Sequence, residues 1–192
     1  MGTVRIISGK LKGRAVETPG GQTRPLLSRL RKSLADILRP HLAGARILDL
    51  FGGSGAITFE LLSNGASSAV IVELDPVAAQ MIQKNIHSLS LDGVVEMHAG
   101  DALSAISIFE RRGDVFDVIV IAPPYGQGLH THALERVACS RLLGRQCIVV
   151  VQRDQHEPCA PSQGLLEKIS TRSYGRTLFD FYAVRHDKNV QP

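Results

Sequence analysis

Apolar residues at 26, 27, 30, 34, 37 and 38 recur with the spacing of one helical face, so a helix is expected over Leu26–Leu38. Its opposite side carries Arg29, Lys32 and Arg39, and Pro40 ends it because proline lacks the donor the next turn needs. Ahead of it, Val4–Thr18 alternates weakly around Ser8-Gly9 and Lys12-Gly13 and reads as a short β-hairpin. From residue 45 the pattern changes. Short apolar runs at Arg46–Phe51, Ala69–Leu74, Val94–Ala99, Phe116–Ile121 and Gln146–Val151 are buried-type strands. Between them lie helical stretches at Ala56–Ser63, Pro76–Leu89, Ala102–Arg111 and Leu129–Leu143. Leu165–Arg172 and Arg176–Val184 form a last hairpin around Tyr174-Gly175.

Apolar strands alternating with helices imply an α/β, Rossmann-like, doubly wound sheet, covered by helices on both faces. Seven strands are expected, mostly parallel, with an antiparallel C-terminal edge and a small N-terminal hairpin and helix as an appendage. The 192-residue length suits one such domain. No uncharged apolar run reaches the ~18 residues of a membrane helix. The first residues lack the apolar stretch of a signal peptide, and Ile6 stands where a myristoylation signal needs Ser or Thr.

Charge is distributed unevenly. Residues 1–40 hold nine basic side chains (Arg5, Lys10, Lys12, Arg14, Arg24, Arg29, Arg31, Lys32 and Arg39) against Glu17 and Asp36, whereas the rest of the chain is net acidic. A basic arm of this kind on a near-neutral body suits a polyanion, RNA above all, the alternative being a solvated charged face. Cys139, Cys147 and Cys159 are an odd number without metal-type spacing, which favours a reducing, cytoplasmic setting and no metal. His130 and His132 lack a nearby third ligand and are expected in a solvated loop or helix start.

The chemistry is concentrated at strand ends. Asp49-Leu50-Phe51-Gly52-Gly53-Ser54-Gly55 follows a strand and opens a helix, where glycines let backbone approach a ligand and free N–H groups face it. As a dinucleotide fingerprint it is incomplete, since Thr58 holds the third glycine position, and this disfavours an NAD-type oxidoreductase. Asp49 would also repel a pyrophosphate and suits a cationic ligand. Glu73 ends the next strand, 24 residues after Asp49, where a carboxylate takes both hydroxyls of a ribose. Asp101 follows the third strand, placed to accept from an adenine amine or to cap a helix. Three carboxylates on successive strands suit an adenosine ligand with a positive charge, which describes S-adenosylmethionine (SAM). After the fourth strand, Ala122-Pro123-Pro124-Tyr125 forms a stiff loop with few N–H donors and an aromatic face. Stacking on that face is worth ~1–3 kcal/mol, enough to hold a base swung out of its helix.

The order DLFGGSG, VELD, GDA, x-Pro-Pro-Tyr resembles class I SAM-dependent methyltransferases that act on exocyclic amines. RIISGKLKGRAVETP followed by TRPLLSRLRKSL resembles the start of the 16S rRNA guanine-N2 methyltransferases of the small subunit, the D type. The resemblance spans residues 4 to about 184. It implies SAM as cofactor, held by Asp49, Phe51, Gly53, Gly55, Glu73, Leu74, Asp101 and Ala102. It implies catalysis at Ala122, Pro123, Pro124 and Tyr125, and RNA contacts from Arg5, Lys10, Lys12, Arg14, Arg24, Arg29, Arg31 and Lys32. Residues 1–40 would then be an RNA-binding arm and 41–192 the SAM-binding methyltransferase domain. The substrate would be ribosomal RNA or a small-subunit assembly particle, the enzyme a cytoplasmic monomer.

The chain departs from that family at Leu26, Ser28 and Lys32, where Thr, Asp and Glu are usual, and at Ala122, where the loop usually begins with Asp. A guanine amine is a poor nucleophile because its lone pair is delocalised into the ring. An acceptor aimed at its N–H orients that lone pair, and losing such a group typically lowers rates by ~10²–10³. Two functions therefore stand side by side: methylation of guanine N2 in 16S rRNA, and a catalytically weak or inactive SAM- and RNA-binding relative. A DNA adenine methyltransferase has only the Pro-Pro-Tyr loop in its favour, with no target-recognition domain.

Overall fold

The computed structural model describes residues 2–19 and 25–185. Strands β1 (Gly2–Arg5) and β2 (Ala15–Thr18) pair antiparallel, with Val4 opposite Val16. Helix α1 (Pro25–Leu38) ends in a 3-10 turn at Arg39–His41 that contains Pro40. The body then runs β3 (Arg46–Asp49), α2 (Ala56–Ser63), β4 (Ser68–Glu73), α3 (Pro76–Ser88), β5 (Val95–Ala99), α4 (Ala102–Arg112), β6 (Phe116–Ile121), α5 (Leu129–Ala138) and β7 (Leu143–Asp154). It closes with β8 (Ser162–Gln163), β9 (Leu166–Tyr174) and β10 (Thr177–Val184).

The main sheet has the order β5-β4-β3-β6-β7-β10-β9-β8. Its first five strands are parallel and its last three antiparallel. The sheet therefore has eight strands where seven were expected. The extra one, β8, is two residues long and pairs only with β9, too short for hydrophobic period to announce it. The helix expected over Leu129–Leu143 stops at Ala138, because Ser140 Oγ donates to the Val137 carbonyl at 2.7 Å and accepts from Leu142 N, turning the chain out of helix. β7 is longer than expected at both ends: Leu143 pairs with Phe116 of β6, and β10 pairs the strand as far as Asp154.

Alternation along the strands divides two cores. Ile47, Ile71, Val118, Val120, Val150 and Phe181 face one side, with α1, α2 and α3. Leu48, Val70, Val72, Ile119, Ile121 and Val149 face the other, with α4 and α5. Ile6 and Val16 of the hairpin belong to the first core, so the arm shares the body's apolar interior. Strand order reverses between β3 and β6, and in open α/β sheets the crevice beyond the carboxyl ends at that point is where ligands bind. No helix among the described residues is long and apolar enough to cross a membrane.

Candidate functional site

The two loops at the switch point are those bearing the expected chemistry. After β3 the chain turns through Gly52–Gly55 into α2, and after β6 through Ala122–Gly128 into α5. Gly52 is required by close approach: a Cβ there would lie 2.4 Å from Ile71 Cγ2, and its N–H donates to the Val72 carbonyl at 2.8 Å. Gly55, at φ +76°, begins α2 with the Phe59 ring 2.5 Å from any added Cβ. This packing draws the loop tight over β4.

Asp49 is 1% exposed and accepts from Thr58 Oγ1 at 2.7 Å and from Phe51 N at 3.3 Å. Burial pushes its carboxyl up to about 6, against those two hydrogen bonds and with a further upward push from Glu73. Thr58, the residue in the third glycine position, is thus the partner that orients Asp49. Glu73 Oε2 accepts from Gly53 N at 2.6 Å and Oε1 from Asp75 N at 2.9 Å. Beside it Leu74 is 70% exposed, an unpartnered apolar side chain at the crevice. Asp101 caps α4 by accepting from Ser104 N at 2.8 Å, the helix-cap alternative, with Ala102 buried behind it. A buried carboxyl, Asp49, and a second carboxylate, Glu73, with an open glycine, Gly53 at φ +58°, fit a cationic adenosine ligand.

In the second loop Pro123 is buried and Pro124 exposed, while Ala122 packs against the first core. The Tyr125 ring is 42% exposed, and its hydroxyl is held by Thr177 Oγ1 at 3.0 Å and Gln152 Nε2 at 2.9 Å. Gly126 N donates to Glu157 Oε1 at 2.7 Å. Gln152, Thr177 and Glu157 were not singled out from sequence. They come from β7, β10 and the loop between β7 and β8, and only the fold brings them to residue 125. Asn85, 1% exposed on α3, was also missed: it holds Glu17 of β2 through both backbone groups and reaches the Ser54 carbonyl at 3.3 Å.

Among the described residues, most basic side chains within residues 1–40 face solvent. Lys10, Lys12 and Arg14 are exposed on the loop between β1 and β2, and Arg29 on α1. Arg5 is exposed and bonds the Gly13 carbonyl, Arg14 bonds the Ser88 carbonyl, and Lys32 pairs with Asp36 at 2.5 Å. Arg31 departs from the surface role. It is 7% exposed, and its guanidinium turns inward to the Arg5 carbonyl at 3.1 Å, tying α1 to β1. Arg24 lies outside the described residues. His130 and His132 sit in the first turn of α5, the helix start expected of them, with His130 buried, its Nε2 2.9 Å from the Pro158 carbonyl, and His132 exposed.

Comparison with known proteins points the same way. The chain is 29% identical over 183 residues to the Bacillus subtilis (strain 168) protein named "Putative rRNA methyltransferase YlbH", covering 95% of this chain and all of that one. It is 27% identical over 170 residues to the Escherichia coli (strain K12) protein named "Ribosomal RNA small subunit methyltransferase D", covering 87% and 84% of the two. The solved "Putative methyltransferase yhhF from Escherichia coli" superposes with a TM-score of 0.84 at 27% identity, over 97% of this chain and 100% of that one. A family model matches residues 4–183, and the chain belongs to that family, described as Conserved hypothetical protein 95.

Proposed function

We propose that this chain is a SAM-dependent rRNA methyltransferase that modifies the exocyclic N2 amine of a guanine in small-subunit ribosomal RNA. One observation carries the reading: the acidic, glycine-lined loop after β3 and the Pro-Pro-Tyr loop after β6 leave neighbouring strands at the strand-order reversal. The names of the relatives support ribosomal RNA as substrate. SAM, when bound, supplies an electrophilic methyl group on a sulfonium. Asp49 and Glu73 favour its positive charge and sugar, and Leu74 offers the adenine an apolar face. Tyr125 receives the extruded base, and residues 1–40 serve as an RNA-binding arm through Lys10, Lys12, Arg14 and Arg29. The deciding experiment incubates the protein with labelled SAM and unmodified 16S rRNA or a partly assembled small subunit. Label in N2-methylguanosine supports the reading. Ala122 favours the second reading, a binding-only relative, which expects SAM and RNA both bound and no label transferred.

Two further outcomes are expected. Cationic SAM favours ionised Asp49, whose carboxyl in the free protein sits at about 6. Affinity should therefore hold above that pH and be about tenfold weaker near pH 5 than at pH 7.5 by calorimetry. Asp49→Asn should weaken binding and flatten this dependence. In the arm, neutralising Lys10, Lys12 and Arg29 together should weaken binding to many RNA sequences alike. The slope of log affinity against log salt should fall by roughly 2–3. An unaltered slope would make the arm a solvated face.

A further inference from the structure

Position 122 lacks a carboxylate, but the neighbouring strand places a carboxamide beside it. β6 and β7 run parallel with Ile121 opposite Val151, so Ala122, the first residue beyond β6, emerges beside Gln152, which stays in β7 opposite Phe179 of β10. Val118, Val120 and Ala122 pack in the first core, as does Val150, and the two-residue period puts Gln152 on that same side. Its head reaches the Pro-Pro-Tyr loop, with Nε2 donating to the Tyr125 oxygen at 2.9 Å. The Tyr125 hydroxyl also shares a hydrogen bond of 3.0 Å with Thr177 Oγ1. With Nε2 committed to Tyr125, Oε1 has no protein donor among the described residues.

We propose that Gln152 is a catalytic residue whose Oε1 accepts a hydrogen bond from the guanine exocyclic amine, in the part a carboxylate at position 122 would play. This assignment rests on the function proposed above. An acceptor on one N–H turns the amine lone pair out of conjugation and towards the methyl carbon. The amine nitrogen forms the new N–C bond, and the C–S bond breaks with its electron pair returning to sulfur. The methylated amine, now positively charged, loses its proton to water. The carboxamide orients and stabilises the charge that develops on nitrogen; it need not become protonated. A neutral acceptor is weaker than a charged one, so the site is slower than its carboxylate counterpart without being inert.

Single-turnover methylation of 16S rRNA at saturating SAM tests this. Gln152→Ala should lower the rate about 10²-fold, with SAM affinity and the KM for RNA changing less than about twofold. Adding Ala122→Asp to that variant should recover most of the rate, because the acceptor returns from the adjacent strand. Gln152→Glu should be at least as fast as wild type near neutral pH. Its rate should decline in acid as the new carboxylate protonates, a limb the wild-type profile lacks. Gln152→Met, which keeps the volume and removes the acceptor, should match Gln152→Ala. A wild-type chain that transfers methyl groups while Gln152→Ala is equally fast overturns the assignment alone, as does a loss that Ala122→Asp does not recover. A wild-type chain that transfers none overturns the proposed function and this assignment with it.

Discussion

Glu60→Ala is expected to destabilise the chain by about 3–5 kcal/mol, because it removes a buried carboxylate that satisfies several donors of the arm. Glu60 is 1% exposed on α2, yet its partners lie more than fifty residues away in the arm. Its carboxylate accepts from Ile7 N and Ser8 N, both at 2.9 Å, and from Ser8 Oγ at 2.8 Å. The loop beyond is equally committed. Lys10 N donates to the Ser63 carbonyl at 2.8 Å, and a Cβ on Gly9, at φ +78°, would fall 1.9 Å from that same oxygen. Alanine at 60 would strand two backbone donors, each costing ~1–3 kcal/mol where water cannot replace the partner. It would also take a compensating negative charge from the environment of Arg31, whose burial already disfavours its charged form. Because Ile6 and Val16 share the first core, the loss should appear in one global transition, with a melting temperature lower by roughly 10 °C. Glu60→Gln keeps one acceptor and should lose about half as much. Faster proteolysis within residues 2–18 would accompany the change. An arm that melts first and alone would mean its contacts with the body are weaker than the geometry implies.

Glu60 also marks the boundary of what the chain discloses as a string of letters. Alternation of apolar runs and amphipathic stretches is a local property, so strands such as Phe116–Ile121 and helices such as Pro76–Ser88 were legible, along with their parallel arrangement. Asp49, Glu73 and the Pro-Pro-Tyr loop were legible for the same reason, since each directly follows a recognisable strand. Partners set by tertiary approach left no such trace. Thr58 read as a missing glycine, although it orients Asp49. Gln152, the first polar residue after QCIVVV, carried no local signal, and only strand register sets it beside Ala122. Arg31 sat in a basic run and counted as a surface cation, because nothing local separates a guanidinium turned inward from one turned outward. β8 failed on length, two residues being below any period.

Asp180→Ala should cost a similar ~3–5 kcal/mol, for a reason on the other side of the sheet. Asp180 is fully buried on β10 and pairs with Arg153 Nε at 2.6 Å and Lys168 Nζ at 3.3 Å, and it accepts from Thr171 Oγ1. Arg153 and Lys168 are only 13% and 18% exposed, so without the carboxylate both cations stay largely out of water and uncompensated. The disturbance has a route to the site. Arg153 Nη1 donates to the Glu157 carbonyl at 2.7 Å, and Glu157 Oε1 accepts from Gly126 N at 2.7 Å, next to Tyr125. Denaturant unfolding should register the stability loss, and methyl transfer measured well below the melting point should fall as the loop loosens. The pH dependence gives an independent reading. Burial pushes the Asp180 carboxyl up, but hydrogen bonds from Arg153 and Thr171 and the charge of Lys168 hold it below its ordinary value. A depressed carboxyl stabilises the fold above its unfolded pKa, about 3.9, and that contribution is lost as pH falls through the lower folded value. Wild type should therefore exceed Asp180→Asn by a constant margin from pH 8 to about 5, with the two curves converging below about 4. Curves that stay parallel to pH 3 would mean that the charge of Asp180 contributes nothing and that only its shape matters.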